Sequence, residues 1–89
     1  MALYSIEWKR SALKELKQLP KNIIPKALSI AEELTTNPHP QSSKKLSGTD
    51  HTYRIRFGDY RLIYNVMDQV LIIEVIRIGH RKNVYRNLP

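Results

Sequence analysis

Hydrophobic and polar positions alternate from Leu3 to Trp8, with Tyr4, Ile6 and Trp8 on one side and Ser5 and Glu7 on the other. That period of two predicts a strand. The period then lengthens. Ala12, Leu13, Leu16 and Leu19 follow helical spacing, with Lys14 and Lys17 on the outer face, and Ser11 is suited to cap a helix running to about Gln18. Pro20 ends it. Asn22 is a candidate cap for a second helix with Pro25 in its first turn, where the missing N–H costs nothing. Ile23, Ile24, Ala27, Leu28, Ala31 and Leu34 form its apolar stripe, widened by Ile30. Two stripes of this kind must cover a sheet. Asn37 to Asp50, rich in Pro, Ser, Gly and Lys, reads as a solvated linker.

Period two returns at Tyr53. Tyr53–Phe57 and Tyr60–Tyr64 flank Gly58-Asp59, a two-residue turn with glycine first, as a type II′ hairpin prefers. Phe57 then faces Tyr60, Ile55 faces Leu62 and Tyr53 faces Tyr64. Asp68-Gln69 predicts a second two-residue turn, followed by a third strand from Val70 to Ile78. That register sets Leu71, Ile73 and Val75 beside Val66, Tyr64 and Leu62 on the apolar face. Ile72 and Ile76 join Ile63 on the other. The expectation is one α+β domain over residues 1–89: an N-terminal strand, a two-helix hairpin, an antiparallel three-stranded meander and a short C-terminal segment.

The second face of the hairpin carries Arg54, Arg56 and Arg61, with Arg56 opposite Arg61. Like charges directly opposite on a sheet are destabilising, and neither strand holds an acid to relieve them. This points to an anionic ligand, phosphate above all, because a guanidinium fork matches it bidentately. A solvated basic face that keeps the strands soluble is the competing reading. Past the third strand, Gly79 is followed by His80, Arg81, Lys82, Tyr85 and Arg86, and loops at strand ends commonly carry chemistry. Lys44, Lys45 and Arg77 add to the same positive field.

Charge follows this division. The 89 residues hold 15 Lys+Arg and 8 Asp+Glu, a formal net charge of +7. From Lys44 onward there are nine basic and four acidic residues, +5; before it there are six and four, +2. Nucleic acid or an acidic protein is the implied partner. There is no cysteine, hence no thiol nucleophile and no cysteine-based metal site, and three scattered histidines lack ligand spacing. No metal or other cofactor is expected. No run approaches the ~20 apolar residues of a membrane span, and the N-terminus lacks the apolar core of a signal peptide. A cytoplasmic setting without a membrane partner is the default.

Lys45-Leu46-Ser47-Gly48, then Tyr53 through Tyr64, then Val75-Ile76-Arg77-Ile78-Gly79-His80-Arg81-Lys82-Asn83-Val84-Tyr85 together resemble the RelE branch of the RelE/ParE toxin superfamily, and the resemblance covers essentially the whole chain. It implies the toxin of a type II toxin–antitoxin pair, an endoribonuclease (mRNA interferase) that cuts messenger RNA in the ribosomal A site without a metal. Its implied partners are the ribosome, mRNA and a small RelB-like antitoxin. The toxin and antitoxin would form a hetero-oligomer able to bind operator DNA through the antitoxin. By position, Arg54 and Arg56 match the family's two catalytic lysines, Arg61 its phosphate-binding arginine, Arg81 its second catalytic arginine and Tyr85 its base-stacking tyrosine.

Arginine in place of lysine matters, since a guanidinium does not give up its proton near neutral pH. Arg54 and Arg56 should therefore stabilise charge. His80 is then the nearby side chain suited to proton transfer, with Tyr85 second. Lys44, Lys45, Arg77, Lys82 and Arg86 are expected to hold RNA phosphates. Ile63, Ile72 and Ile76, flanking the arginines, are expected to meet the antitoxin. The alternative within the superfamily is a ParE-like poison of DNA gyrase with no nuclease activity, which largely lacks this arginine and tyrosine set. A non-catalytic RNA-binding module is a third class, for which the chain lacks repeated exposed aromatics.

Overall fold

The computed structural model describes residues 3–82. In chain order it has β1 (Ser5–Trp8), α1 (Arg10–Lys17), α2 (Ile24–Leu34), β2 (Ser43–Lys45), β3 (Thr52–Phe57), β4 (Tyr60–Met67) and β5 (Ile72–His80). The strands form one sheet in the order β1-β5-β4-β3-β2. The pair β1–β5 is parallel and the other three are antiparallel. Both helices cover one face, so the architecture is the expected α+β, with five strands in its sheet.

The β3–β4 hairpin has the expected register throughout, from Phe57 opposite Tyr60 to Tyr53 opposite Tyr64. Gly58 takes φ +59°, the positive angle that a type II′ turn demands of its first central residue. One face of the ribbon then supplies Ile55, Phe57, Leu62, Tyr64 and Val66 to a core shared with Ile73, Val75 and Ile78 of β5 and with Ala12, Leu16, Ala27, Ala31 and Leu34 of the helices.

Tyr64 is the largest fully buried side chain. It stacks on Tyr53 with ring centroids 5.9 Å apart, and its hydroxyl donates to the Pro38 carbonyl at 2.8 Å. Burial pushes its phenol up, to about 12. The folded chain therefore keeps the Tyr64 proton over a range in which the unfolded chain, titrating near ~10, releases it. This contribution to stability is intact below about pH 10 and is lost as pH rises toward 12. Urea titrations across alkaline pH should show the decline, and Tyr64→Phe should lack this part of it.

Several local expectations are corrected. Neither helix has a side-chain cap: Lys9 and Ile23 occupy the cap positions, not Ser11 and Asn22, although Pro25 does fall in the first turn of α2. The supposed linker contains β2, which pairs Ser43–Lys45 with Ile55–Tyr53 and gives the sheet its outer strand. The β4–β5 turn spans residues 68–71, so Val66 meets Ile73 and Tyr64 meets Val75, two residues on from the expected register. Leu71 closes that turn at φ +55° and turns its carbonyl to accept the Ser5 N–H at 2.8 Å.

A β-bulge follows between Ile63 and Tyr64 on β4 and between Arg77 and Val75 on β5, with Ile76 the extra residue. Its effect on the faces is specific. Plain alternation from Val75 would send Arg77 into the core and Ile78 out of it. The bulge reverses this, leaving Ile78 1% exposed and Arg77 opposite Ile63.

Candidate functional site

The arginines lie on the face turned away from the helices, because they alternate with Ile55, Phe57 and Leu62 of the core. Register arranges that face in rows across the strands. One row is Lys44, Arg54, Ile63 and Arg77. The next, toward the hairpin tip, is Arg56, Arg61 and Gly79. Gly79 puts no side chain opposite Arg61. Arg81 follows at the tip itself, where its backbone N–H donates to the Asp59 carbonyl at 2.8 Å.

Arg61 is the centre of this arrangement. It is 7% exposed, and its Nη1 donates to the neighbouring Tyr60 carbonyl at 3.3 Å. Its Nε is buried with no hydrogen-bond partner. Among the described residues, no carboxylate forms an ion pair with Arg54, Arg56 or Arg61. Leaving a buried donor unsatisfied costs about 1–3 kcal/mol, more when it is charged. An anion entering beside Arg61 would recover that cost. Arg56 is exposed and Arg54 half-buried, so the row offers one fixed guanidinium and others free to close on a ligand.

The opposite end of the same face is acidic and ordered. Thr52 donates to Asn65 Oδ1 at 2.7 Å, Asn65 Nδ2 donates to Glu74 Oε1 at 3.1 Å, and Glu7 lies opposite Glu74. The face therefore grades from positive at the hairpin tip to negative near the β4–β5 turn. The sequence reading did not identify this acidic border.

Other expected site residues separate. Lys44 shares the Arg54 row, whereas Lys45 pairs with Tyr53 and alternates to the other face. Arg77 is committed to Glu15 of α1, with Nε donating at 3.1 and 3.3 Å, and Glu15 also accepts the Ile78 N–H at 3.1 Å. Glu15 thus caps the edge of β5 just beyond the end of β1, a role that the sequence reading missed. Its signal was a single acid beside the buried positions of a basic helix. Arg77 is therefore engaged within the chain, contrary to its expected use as a phosphate ligand.

His80 points away from the arginines. It lies opposite Tyr60, meets that ring edge-on with centroids 5.8 Å apart, and lines a hollow of about 300 Å³ with Leu19 and Pro20 on the helix side. Its Nδ1 accepts the Lys82 N–H at 3.2 Å. Proton transfer at the arginine face is not served by this placement, and that expectation is corrected. Ile63 is also corrected: at 0% exposure it offers no open surface, while Ile72 and Ile76 are half-buried. Tyr85 and Arg86 lie outside the described residues.

Comparison with known proteins agrees with this geometry. A family model described as the ParE toxin of the type II toxin–antitoxin system parDE matches residues 6–85. A RelE1 protein of Methanocaldococcus jannaschii is 36% identical over 87 residues, covering 94% of this chain and 97% of its own length. The mRNA interferase toxin RelE of Escherichia coli K12 is 30% identical over 81 residues, covering 89% and 84%. The toxin in the archaeal RelE–RelB complex from Pyrococcus horikoshii superposes with a TM-score of 0.79 at 30% identity, covering 92% of this chain and 99% of that one. With that match spanning nearly all of the described fold and RelE proteins as its relatives, the chain belongs to the RelE/ParE superfamily as a RelE-like toxin of a type II toxin–antitoxin system.

Proposed function

We propose that this toxin is an mRNA interferase that cleaves messenger RNA in the ribosomal A site, through attack of the RNA's own 2′-hydroxyl on the adjacent phosphate. The observation that carries the reading is the buried Arg61 guanidinium, whose Nε has no partner. A phosphate beside Arg61 would take up that donor, with Arg56 and Arg81 closing from the hairpin tip. As the 2′-oxygen bonds to phosphorus and the 5′-oxygen leaves, the extra negative charge on the phosphorane would fall among these guanidiniums. Donors fixed before the reaction stabilise such charge without reorganising. The nucleophile belongs to the substrate, so the scheme needs no metal. An E. coli relative at 30% identity that bears the name mRNA interferase supports it.

Acid–base work then falls to Tyr85, to Arg81 or to the ribosome, because His80 faces the helix layer. His80→Ala should leave the shape of the pH–rate profile for cleavage unchanged. A missing titration near pH 6–7 in that variant would restore His80 to the mechanism.

The partner reading follows the same face. A RelB-like antitoxin with acidic residues over Arg54, Arg56 and Arg61 would mask the site. RelE–RelB complexes among the structural neighbours support such a partner.

The match to a ParE-described model favours a second reading, poisoning of DNA gyrase. Primer extension on a message translated in vitro, beside a gyrase supercoiling assay, separates the two. Discrete truncations on translated message with normal supercoiling are expected. Intact message with inhibited gyrase would reverse the assignment.

A further inference from the structure

The solvent side of α1 carries a second field of positive charge, and the sheet separates it from the arginine face. Arg10, Lys14 and Lys17 recur at i, i+4 and i+7 and are all exposed, while Ala12 and Leu16 point into the core. Lys9 precedes the stripe at the cap position and Lys21 follows it in the next turn, both exposed. From Lys9 to Lys26 the chain has six cations and one acid, Glu15. Glu15 is turned to the edge of β5, where it accepts hydrogen bonds from Arg77 and Ile78. The one carboxylate able to offset the stripe is thus engaged elsewhere.

Helix energetics oppose this pattern. Like charges at i, i+4 repel. The first turn of α1 holds no acid, and Arg10 stands there against the positive end of the helix dipole. A local rule broken with no local gain is the mark of a functional surface. The stripe is straight and about 10 Å long, and a nucleic-acid duplex presents on the order of six phosphates over that length. A partner helix would need an apolar seam to bury, but Leu13 is the one exposed large apolar residue of α1 among the described residues.

We infer that Arg10, Lys14 and Lys17 dock on the phosphate backbone of folded ribosomal RNA beside the A site, as a contact distinct from the arginine face. The inference rests on the ribosomal reading of the function. Its geometry would let the protein grip the ribosome with its helix layer while the outer face meets the message.

The test is equilibrium binding of the full chain to vacant 70S ribosomes at a series of salt concentrations. Wild type is compared with Arg10→Gln, Lys14→Gln, Lys17→Gln and the triple variant. Glutamine keeps helix propensity, and each single change gives a separate reading should the triple variant lose stability. The slope of log affinity against log salt should fall by about one per substitution and by about 2–3 in the triple variant. The single-turnover cleavage rate at saturating ribosome should stay at the wild-type value.

If wild type binds and cleaves while every variant keeps its slope, the inference is overturned and the proposed function stands. If ribosome binding is untouched while affinity for the antitoxin drops, the stripe is a protein surface, and the inference is again overturned. If wild type neither binds ribosomes nor cleaves message, the function and the inference fall together.

Discussion

Arg61→Ala should lower single-turnover cleavage on programmed ribosomes by about 10²–10³-fold, the cost of removing one positioned donor to a charged transition state. Arg61 is 7% exposed, so its guanidinium is aimed before substrate arrives. Because its Nε has no partner to lose, the substitution should cost little stability, and a urea melt should separate the two effects. Arg61→Lys should remain largely inactive, since a point charge does not replace a planar fork. Exposed Arg56 should tolerate alanine better than Arg61. Near-wild-type cleavage by folded Arg61→Ala would remove the phosphate clamp from the account.

The largest effect on stability should come from Tyr64→Ala. Tyr64 is 0% exposed at the centre of the sheet, and truncating a buried aromatic costs about 3–5 kcal/mol. The change also removes the stack on Tyr53 and the hydrogen bond to Pro38 that pins the segment before β2. A domain of this size has a total stability of roughly 4–13 kcal/mol, so much of the Tyr64→Ala protein should be unfolded at 37 °C. Tyr64→Phe removes only the hydroxyl and should cost about 1 kcal/mol. Urea unfolding of the pair reads both. Equal losses would mean that the hydroxyl, not the ring, holds this part of the fold.

The hairpin was legible because everything that fixes it is local. Gly58 accepts the positive φ, and alternation then assigns every side chain from Tyr53 to Tyr64 to a face. The arginine site inherits that legibility. β5 was harder because its register depends on a turn closed by Leu71, a residue that no turn preference selects for positive φ. The bulge at Ile76 then resets the alternation. The conflict it resolves was visible in the sequence, since strict alternation would bury Arg77.

β2 was hidden by its composition: Ser43-Lys44-Lys45 is short and polar and becomes a strand only by pairing with β3. His80 was grouped with Arg81 by adjacency, although neighbours in a strand point to opposite faces. Ile63 shows a different limit. Alternation put it correctly on the arginine face but could not reveal that it is buried there.

The measurement that tests the central claim most directly is cleavage of an A-site message carrying 2′-deoxyribose at the nucleotide just before the scissile phosphate. If the RNA's 2′-oxygen is the nucleophile, wild-type protein should cut the all-ribose message to a 2′,3′-cyclic phosphate and a 5′-hydroxyl end. It should leave the substituted message intact. Cleavage of the 2′-deoxy message at the all-ribose rate would contradict the account, because the attacking oxygen would then have to come from elsewhere.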